Sequence, residues 1–169
     1  AGITQFSLIG FDACLMAAVE GALTLRRFGE YYLASSEVEP GHGWDYRTLQ
    51  LLKTTPSTAP IPFAQAMIDG FRAQAVAQNT DETVTLSLID LYALDELRDG
   101  VALLAFQLEG KPVDNGVVYL GAAQRSLRFG DNPDPAAALH MVDLLDLATF
   151  VAADLPAAAA QDAGRDRPA

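Results

Sequence analysis

The covalent chemistry open to this sequence centres on one thiol. Cys14 is the single cysteine among 169 residues, so it cannot close an internal disulfide. It stands in FSLIGFDACLMAAVE, residues 6–20, where an apolar, strand-like run passes into a helix-like one. A thiol at the end of a buried strand and the start of a helix would sit among free amides and the positive end of the helix dipole. Both favour the reactive thiolate, and the same amides could stabilise a tetrahedral oxyanion. The competing reading is packing, because free cysteine is among the most buried residue types. Asp12, two residues earlier, is either an acidic group at such a site or the N-cap of the following helix.

Little else in the sequence competes with Cys14. There is no GxGxxG, Walker loop, HExxH or CxxC. His42 and His140 are far apart, and neither has a second ligand at metal spacing. GDNPDP (130–135) has acidic and amide oxygens but lacks the spaced ligands and terminal Glu of an EF-hand, so no metal is expected from the residues. The net charge of −11 repels nucleic acid and anionic membranes and favours cationic partners such as basic peptides. Half the residues are hydrophobic, enough to bury a core. No apolar run reaches the length of a membrane span. No basic segment followed by an apolar one is visible as a signal peptide. Ala1 leads almost at once into a strand without a starting Met, which places the expected start of the protein upstream.

The elements that must position Cys14 follow from pattern. FSLIGF (6–11) reads as a fully buried strand. From Cys14 to about Phe28, Leu15, Ala18, Val19, Ala22, Leu23 and Leu25 keep helical spacing. YYLAS (31–35) reads as a second strand, which makes a βαβ unit with a parallel, right-handed crossover. SEVEPGHGWDY (36–46) leaves the strand end as a loop, where open α/β sheets place their sites. A short helix over YRTLQLLKT and a longer one over 62–79 come next. ETVTLSLIDL (82–91) alternates like a strand. ALDELRDGVALLAFQLEG is a helix that GKPVDNG breaks. VVYLGAAQRSLRF (117–129) is moderately helical. MVDLLDLATFVAADL (141–155) is a last helix, with Asp143 as N-cap and Asp146 three residues on. The tail, 156–169, is low-complexity and expected to be disordered.

IGFDACLMAAVE followed by YYLASSEVEPGHGWDY resembles the clostripain family of cysteine peptidases, in the clan of caspases, legumains and gingipains. TVTLSLIDLYALDELRDGVALLA and HMVDLLDLATFVA resemble later elements of that family, so the likeness covers most of residues 5–155. It implies an α/β fold with a caspase-like, mostly parallel sheet and flanking helices, incomplete at the N-terminus. Residues 1–155 would be the C-terminal portion of the peptidase domain. Cys14 would be the nucleophile. Asp12 would line a pocket for a substrate Arg or Lys. Ser35, Ser36 and Glu37 match the stretch that pairs with the substrate chain, or form an ordinary loop at a strand end. Glu37 and Glu39 either add negative potential or belong to a solvated acidic loop. Trp44 is either a pocket wall or a loop anchor.

The family's catalytic histidine lies upstream, in a His-Gly pair absent from these residues, and GHGW around His42 does not match it. The resemblance therefore implies that the partner of this chain is the missing N-terminal part of its own domain. It further implies peptide substrates with basic residues, a secreted or cell-surface bacterial setting, and no cofactor, although the family's type member uses calcium. Two other readings remain: a non-catalytic relative that binds peptides or proteins with Cys14 packed inside, and a flavodoxin-like binding domain.

Overall fold

The computed structural model describes residues 2, 4–109, 112–130 and 139–165. The chain divides into two compact units, Ala1–Glu96 and Leu97–Ala169.

In the first unit, β1 (Phe6–Gly10), α1 (Val19–Leu25) and β2 (Gly29–Ala34) form the expected βαβ unit, with Phe6 beside Gly29 and Gly10 beside Leu33 in a parallel pair. β3 (Ser87–Asp90) then joins the other side of β2, antiparallel, with Tyr31 beside Asp90 and Ala34 beside Ser87. Among the described residues this sheet is three-stranded and mixed, in the order β1-β2-β3, with one parallel and one antiparallel pair where a mostly parallel sheet was expected. β3 reaches β2 after α3 (Pro60–Gln78), and residue alternation carries no information on strand direction. β2 is the central strand, and Tyr32, Leu33 and Ala34 are fully buried in it. β1 is an edge strand rather than a fully buried one, and Phe6 is half exposed.

Each face of the sheet has its own core. One gathers Ala22, Tyr32, Ala34, Leu91 and Leu94, with Phe11, Met16 and Ala17 packed against them. The other gathers Leu33 and Trp44 with Ala64, Met67 and Phe71 of α3. Burying a side chain such as Leu33 or Phe71 contributes about 1.5–3 kcal/mol. Val84, Leu86 and Leu88 pack here too, so the alternation over 82–91 marks a real burial pattern although the strand ladder begins only at Ser87. Between β2 and α3, a 3-10 turn (Tyr46–Leu49) runs into α2 (Gln50–Thr54).

α1 is much shorter than its spacing implies. Leu15 has φ 61, the left-handed region, which costs an ordinary residue about 1–2 kcal/mol. Leu15 N–H donates to Glu37 O at 3.1 Å and Ala17 N–H to Ser35 O at 2.8 Å. Residues 15–17 are thus tied across to the chain leaving β2, and the helix starts only after Ala18. Cys14 does not open a helix.

The boundary between the units falls within α4 (Leu94–Glu109). In the second unit, α5 (Pro112–Arg125) begins inside the stretch expected to break the helical pattern, with proline at its first position. Val118 and Ala122 of α5 pack on Leu147 and Val151 of α6 (Leu144–Arg165). β4 (Arg128–Phe129) and β5 (Met141–Val142) pair antiparallel. Asp143 caps α6, its Oδ1 accepting Asp146 N–H at 2.9 Å, while the Asp146 carboxylate accepts Leu127 N–H instead of returning the bond. α6 includes 156–165 of the tract read as a disordered tail, where alanine favours helix. Of GDNPDP, only Gly130 lies within the described residues.

Gly10 ends β1 directly against Trp44: a Cβ there would lie 3.0 and 3.1 Å from two ring carbons. Gly10→Ala is expected to cost about 1–3 kcal/mol by overpacking. Urea unfolding followed by the fluorescence of Trp44, the single tryptophan, measures it.

Candidate active site

The site is built from two loops. One leaves β1 and carries Asp12 and Cys14. The other leaves β2 and carries Ser35 to Trp44. Both leave at the C-terminal ends of a parallel pair, the position where α/β sheets hold ligands.

Ser35 starts the second loop from a fully buried position. Its hydroxyl lies 3.0 Å from both Glu37 O and Thr85 Oγ1. Thr85 Oγ1 also accepts the N–H groups of Ser36, at 3.0 Å, and Glu37, at 3.1 Å. The backbone donors of this turn are therefore bonded inside the protein. Glu37 also folds its Oε2 back onto Val38 N–H at 3.2 Å. The turn delivers Glu39 to Cys14: Glu39 N–H donates to Sγ at 3.3 Å. The thiol is exposed. An N–H aimed at sulfur solvates thiolate charge, and it comes from the second loop, not from a helix terminus. Leu15 and Ala17 N–H are committed elsewhere, so they are not oxyanion donors.

Trp44 joins the two acids. Its backbone N–H donates to Asp12 Oδ2 at 3.2 Å and its indole Nε1–H to Glu39 Oε1 at 3.0 Å. The ring is 7% exposed and belongs to the core under the loop, which makes it an anchor. Tyr46 donates its hydroxyl to Asp12 Oδ2 at 2.8 Å, and that carboxylate holds the phenol above its usual range. Gly43, at φ +64, passes so close that a Cβ would lie 2.8 Å from Asp12 Oδ2. Burial pushes the Glu39 carboxyl up to about 7, helped by the neighbouring Asp12 carboxyl and opposed by the Trp44 bond.

Asp12, Cys14 and Glu39 are thus brought together around an exposed sulfur. Ser35, Ser36 and Glu37 form the turn that holds Glu39 there. Asp12 does not cap a helix, because the helix begins after Ala18. His42 faces elsewhere: Nε2 lies 2.9 Å from Thr80 Oγ1, and Nδ1 lies 2.8 Å from Gly43 O and 3.0 Å from Gln74 Nε2. It staples the loop to α3 and the residues after it. His140 belongs to the second unit. Sequence reasoning missed Thr85, whose side-chain direction was readable from the alternation, and Tyr46. Among the described residues, no group of three or more His, Cys, Asp or Glu side chains is placed to hold a metal ion.

The sequence matches the clostripain family, peptidase C11, over residues 2–146, across both units. Solved structures of similar fold include a clostripain from Bacteroides thetaiotaomicron in complex with the peptide inhibitor BTN-VLTK-AOMK. It is 18% identical with a TM-score of 0.54, over 86% of this chain and 62% of that one. An inactive zymogen of a C11 protease from Parabacteroides distasonis is 20% identical, TM-score 0.62, over 86% and 38%. A secreted C11 cysteine protease from B. thetaiotaomicron, iotapain, is 18% identical, TM-score 0.59, over 86% and 40%. The chain therefore spans less than two thirds of these proteins. Comparison with curated proteins finds no match.

Thr85→Val keeps the shape of the side chain but strands the N–H of Ser36, while Glu37 N–H keeps its bond to Ser35 Oγ at 3.0 Å. A buried donor without a partner costs about 1–3 kcal/mol. The expected result is destabilisation of that order in urea unfolding, with faster amide exchange at Ser36 than at Glu37, which retains Ser35 Oγ.

Proposed function

The chain belongs to the clostripain family, and from that we propose that it carries the nucleophile of a cysteine endopeptidase cutting after arginine or lysine. One observation carries the reading: an exposed Cys14 Sγ after a sheet strand, receiving the Glu39 N–H at 3.3 Å, with the Asp12 carboxylate two residues away. An exposed thiol with a backbone donor on it is arranged for attack. The packing reading has no comparable support, because Cys14 is exposed.

Cys14, as thiolate, attacks the carbonyl carbon of the scissile bond. The C–N bond breaks as the leaving amine takes a proton, which leaves a thioester. Water then attacks the thioester and releases the new carboxylate and the thiol. Donating the first proton and accepting one from water is work for a histidine. His42 is committed to Thr80, Gln74 and Gly43. We therefore place the histidine in a His-Gly pair upstream of residue 1, in the remainder of a caspase-like sheet continued beyond the edge strand β1. Residues 1–169 alone would then cleave slowly or not at all.

Asp12 supplies the preference for a basic residue. Trp44 N–H and Tyr46 hydroxyl both bond Oδ2 and hold the carboxylate for a charge-assisted bond to a substrate guanidinium or ammonium. The inhibitor on the B. thetaiotaomicron clostripain reads VLTK, in keeping with this preference. Iotapain is a secreted protease, and we extend secretion to this protein as part of the same proposal.

In protein carrying the proposed upstream segment, Cys14→Ala is expected to abolish hydrolysis of peptide amides with Arg or Lys on the acyl side of the scissile bond. Asp12→Asn is expected to lower kcat/KM for these peptides about 10–100-fold, the worth of one hydrogen bond to a charged group. Hydrolysis that survives Cys14→Ala contradicts the nucleophile. Fast, Cys14-dependent hydrolysis by residues 1–169 alone contradicts the placing of the histidine.

A further inference from the structure

Glu39 touches the thiol and the core anchor at once. Its N–H donates to Cys14 Sγ at 3.3 Å, and its carbonyl oxygen lies 3.9 Å from the same sulfur. Its Oε1 accepts the indole N–H of Trp44. Its Oε2 is buried and receives no donor. The group within hydrogen-bonding reach of the Glu39 carboxyl is the Asp12 carboxyl, which when ionised only accepts. Two carboxylates cannot satisfy each other, but one proton between them can.

We propose that Glu39 is a positioning residue for Cys14: it shares a proton with Asp12, and in that form holds its own backbone N–H on the thiol sulfur. The catalytic use of this contact rests on Cys14 being the nucleophile; the shared proton does not. Burial and Asp12 push the Glu39 carboxyl up to about 7, so the proton is present through mildly acid pH. The titratable groups facing it are Asp12 and Cys14 from the loop after β1, and Tyr46 from the 3-10 turn, whose hydroxyl is already spent on Asp12. His42, on the same loop, turns to Thr80 and Gln74.

The geometry has a direction with pH. Below about 7 the proton bridges the two acids, Oε2 is satisfied, and the loop seats Glu39 N–H on sulfur. Above it, two carboxylates face each other with one buried oxygen bare, and the loop is driven off the thiol. The effect on stability has the same sign. The folded-state value lies above the ordinary 4.5, so the contribution of Glu39 to stability is fully present below about 4.5 and lost as pH rises through about 7. Glu39 then adds little negative potential to the site until the pH passes neutrality.

The chain contains its own two probes, since Cys14 is its single thiol and Trp44 its single indole. The experiment follows the Trp44 indole N–H resonance and the rate of Cys14 alkylation by iodoacetamide against pH, in the 169-residue chain. Wild type is expected to show an indole titration near pH 7 and a bend in the alkylation profile at the same pH. Glu39→Gln offers Oε1 to the indole and an amide N–H to Asp12, and so copies the protonated state. It should lose both pH steps while keeping the low-pH alkylation behaviour of wild type. Glu39→Ala should lose the steps without that rescue. An indole resonance flat across neutrality in wild type, or a step that survives in Glu39→Gln, overturns the proposal. None of these readouts needs peptide hydrolysis. A chain that titrates as described but never cleaves, even with its upstream segment, contradicts the peptidase reading and leaves the shared proton standing.

Discussion

The N–H groups of Ser36 and Glu37 converge on the paired hydroxyls of Thr85 and Ser35, Ser36 on Thr85 Oγ1 and Glu37 on both, and the site depends on that convergence. It stops β2 from running straight on after Ala34 and turns the chain toward the loop after β1. The carbonyls of the same turn, Ser35 O and Glu37 O, take the N–H groups of Ala17 and Leu15. The two loops are therefore one hydrogen-bonded structure. Its left-handed residue, Leu15, follows Cys14 directly. Strain of about 1–3 kcal/mol at such a position persists only where the surroundings over-determine it. Here two backbone bonds between the loops, and a turn tied to the hydroxyls of buried Ser35 and of Thr85, do so.

Once the turn is fixed, the acids fall into place through Trp44. Its ring is held in the core by Leu33, Met67 and Phe71, while its two N–H groups face Asp12 and Glu39. A rigid apolar body with two donors on one side sets two carboxyls close together beside a thiol. That closeness separates their roles. Asp12, bonded by Tyr46 and Trp44, is suited to a cation. Glu39, with one oxygen buried and bare, is suited to a proton. The two acids of the site thus differ in surroundings, which is the basis of the separate roles proposed for them.

Much of this was legible from residues 6–79, and the illegible parts have physical reasons. Short apolar runs of strand length marked β1 and β2, and Pro62 with helical spacing marked α3. The Asp12 to Cys14 and Glu39 to Trp44 blocks were paired by family resemblance, and the structure places them in contact. The start of α1 was misread because Leu15 and Ala18 satisfy helical spacing while Leu15 is held left-handed by a strand end twenty residues away. The helix dipole assigned to Cys14 disappears with it, and a backbone N–H from Glu39 takes its place. The direction of β3 was not in its alternation. Thr85 looked like an ordinary outward strand residue, since its role depends on the register of β3 against β2. The proline at the start of α5 was a readable helix signal, masked by the glycines around it.

The proposed activity stands or falls with Cys14 as an accessible nucleophile beside a carboxylate that selects basic residues. The most direct measurement is covalent labelling by electrophilic peptidyl ketones that differ in one residue, Lys or Asp, next to the ketone. Protein carrying the upstream segment is labelled and the modified peptide is mapped by mass spectrometry. The account predicts a single adduct on Cys14, formed much faster by the Lys reagent, with that preference lost in Asp12→Asn. Label on another residue, or equal rates for the two reagents on wild type, would contradict it.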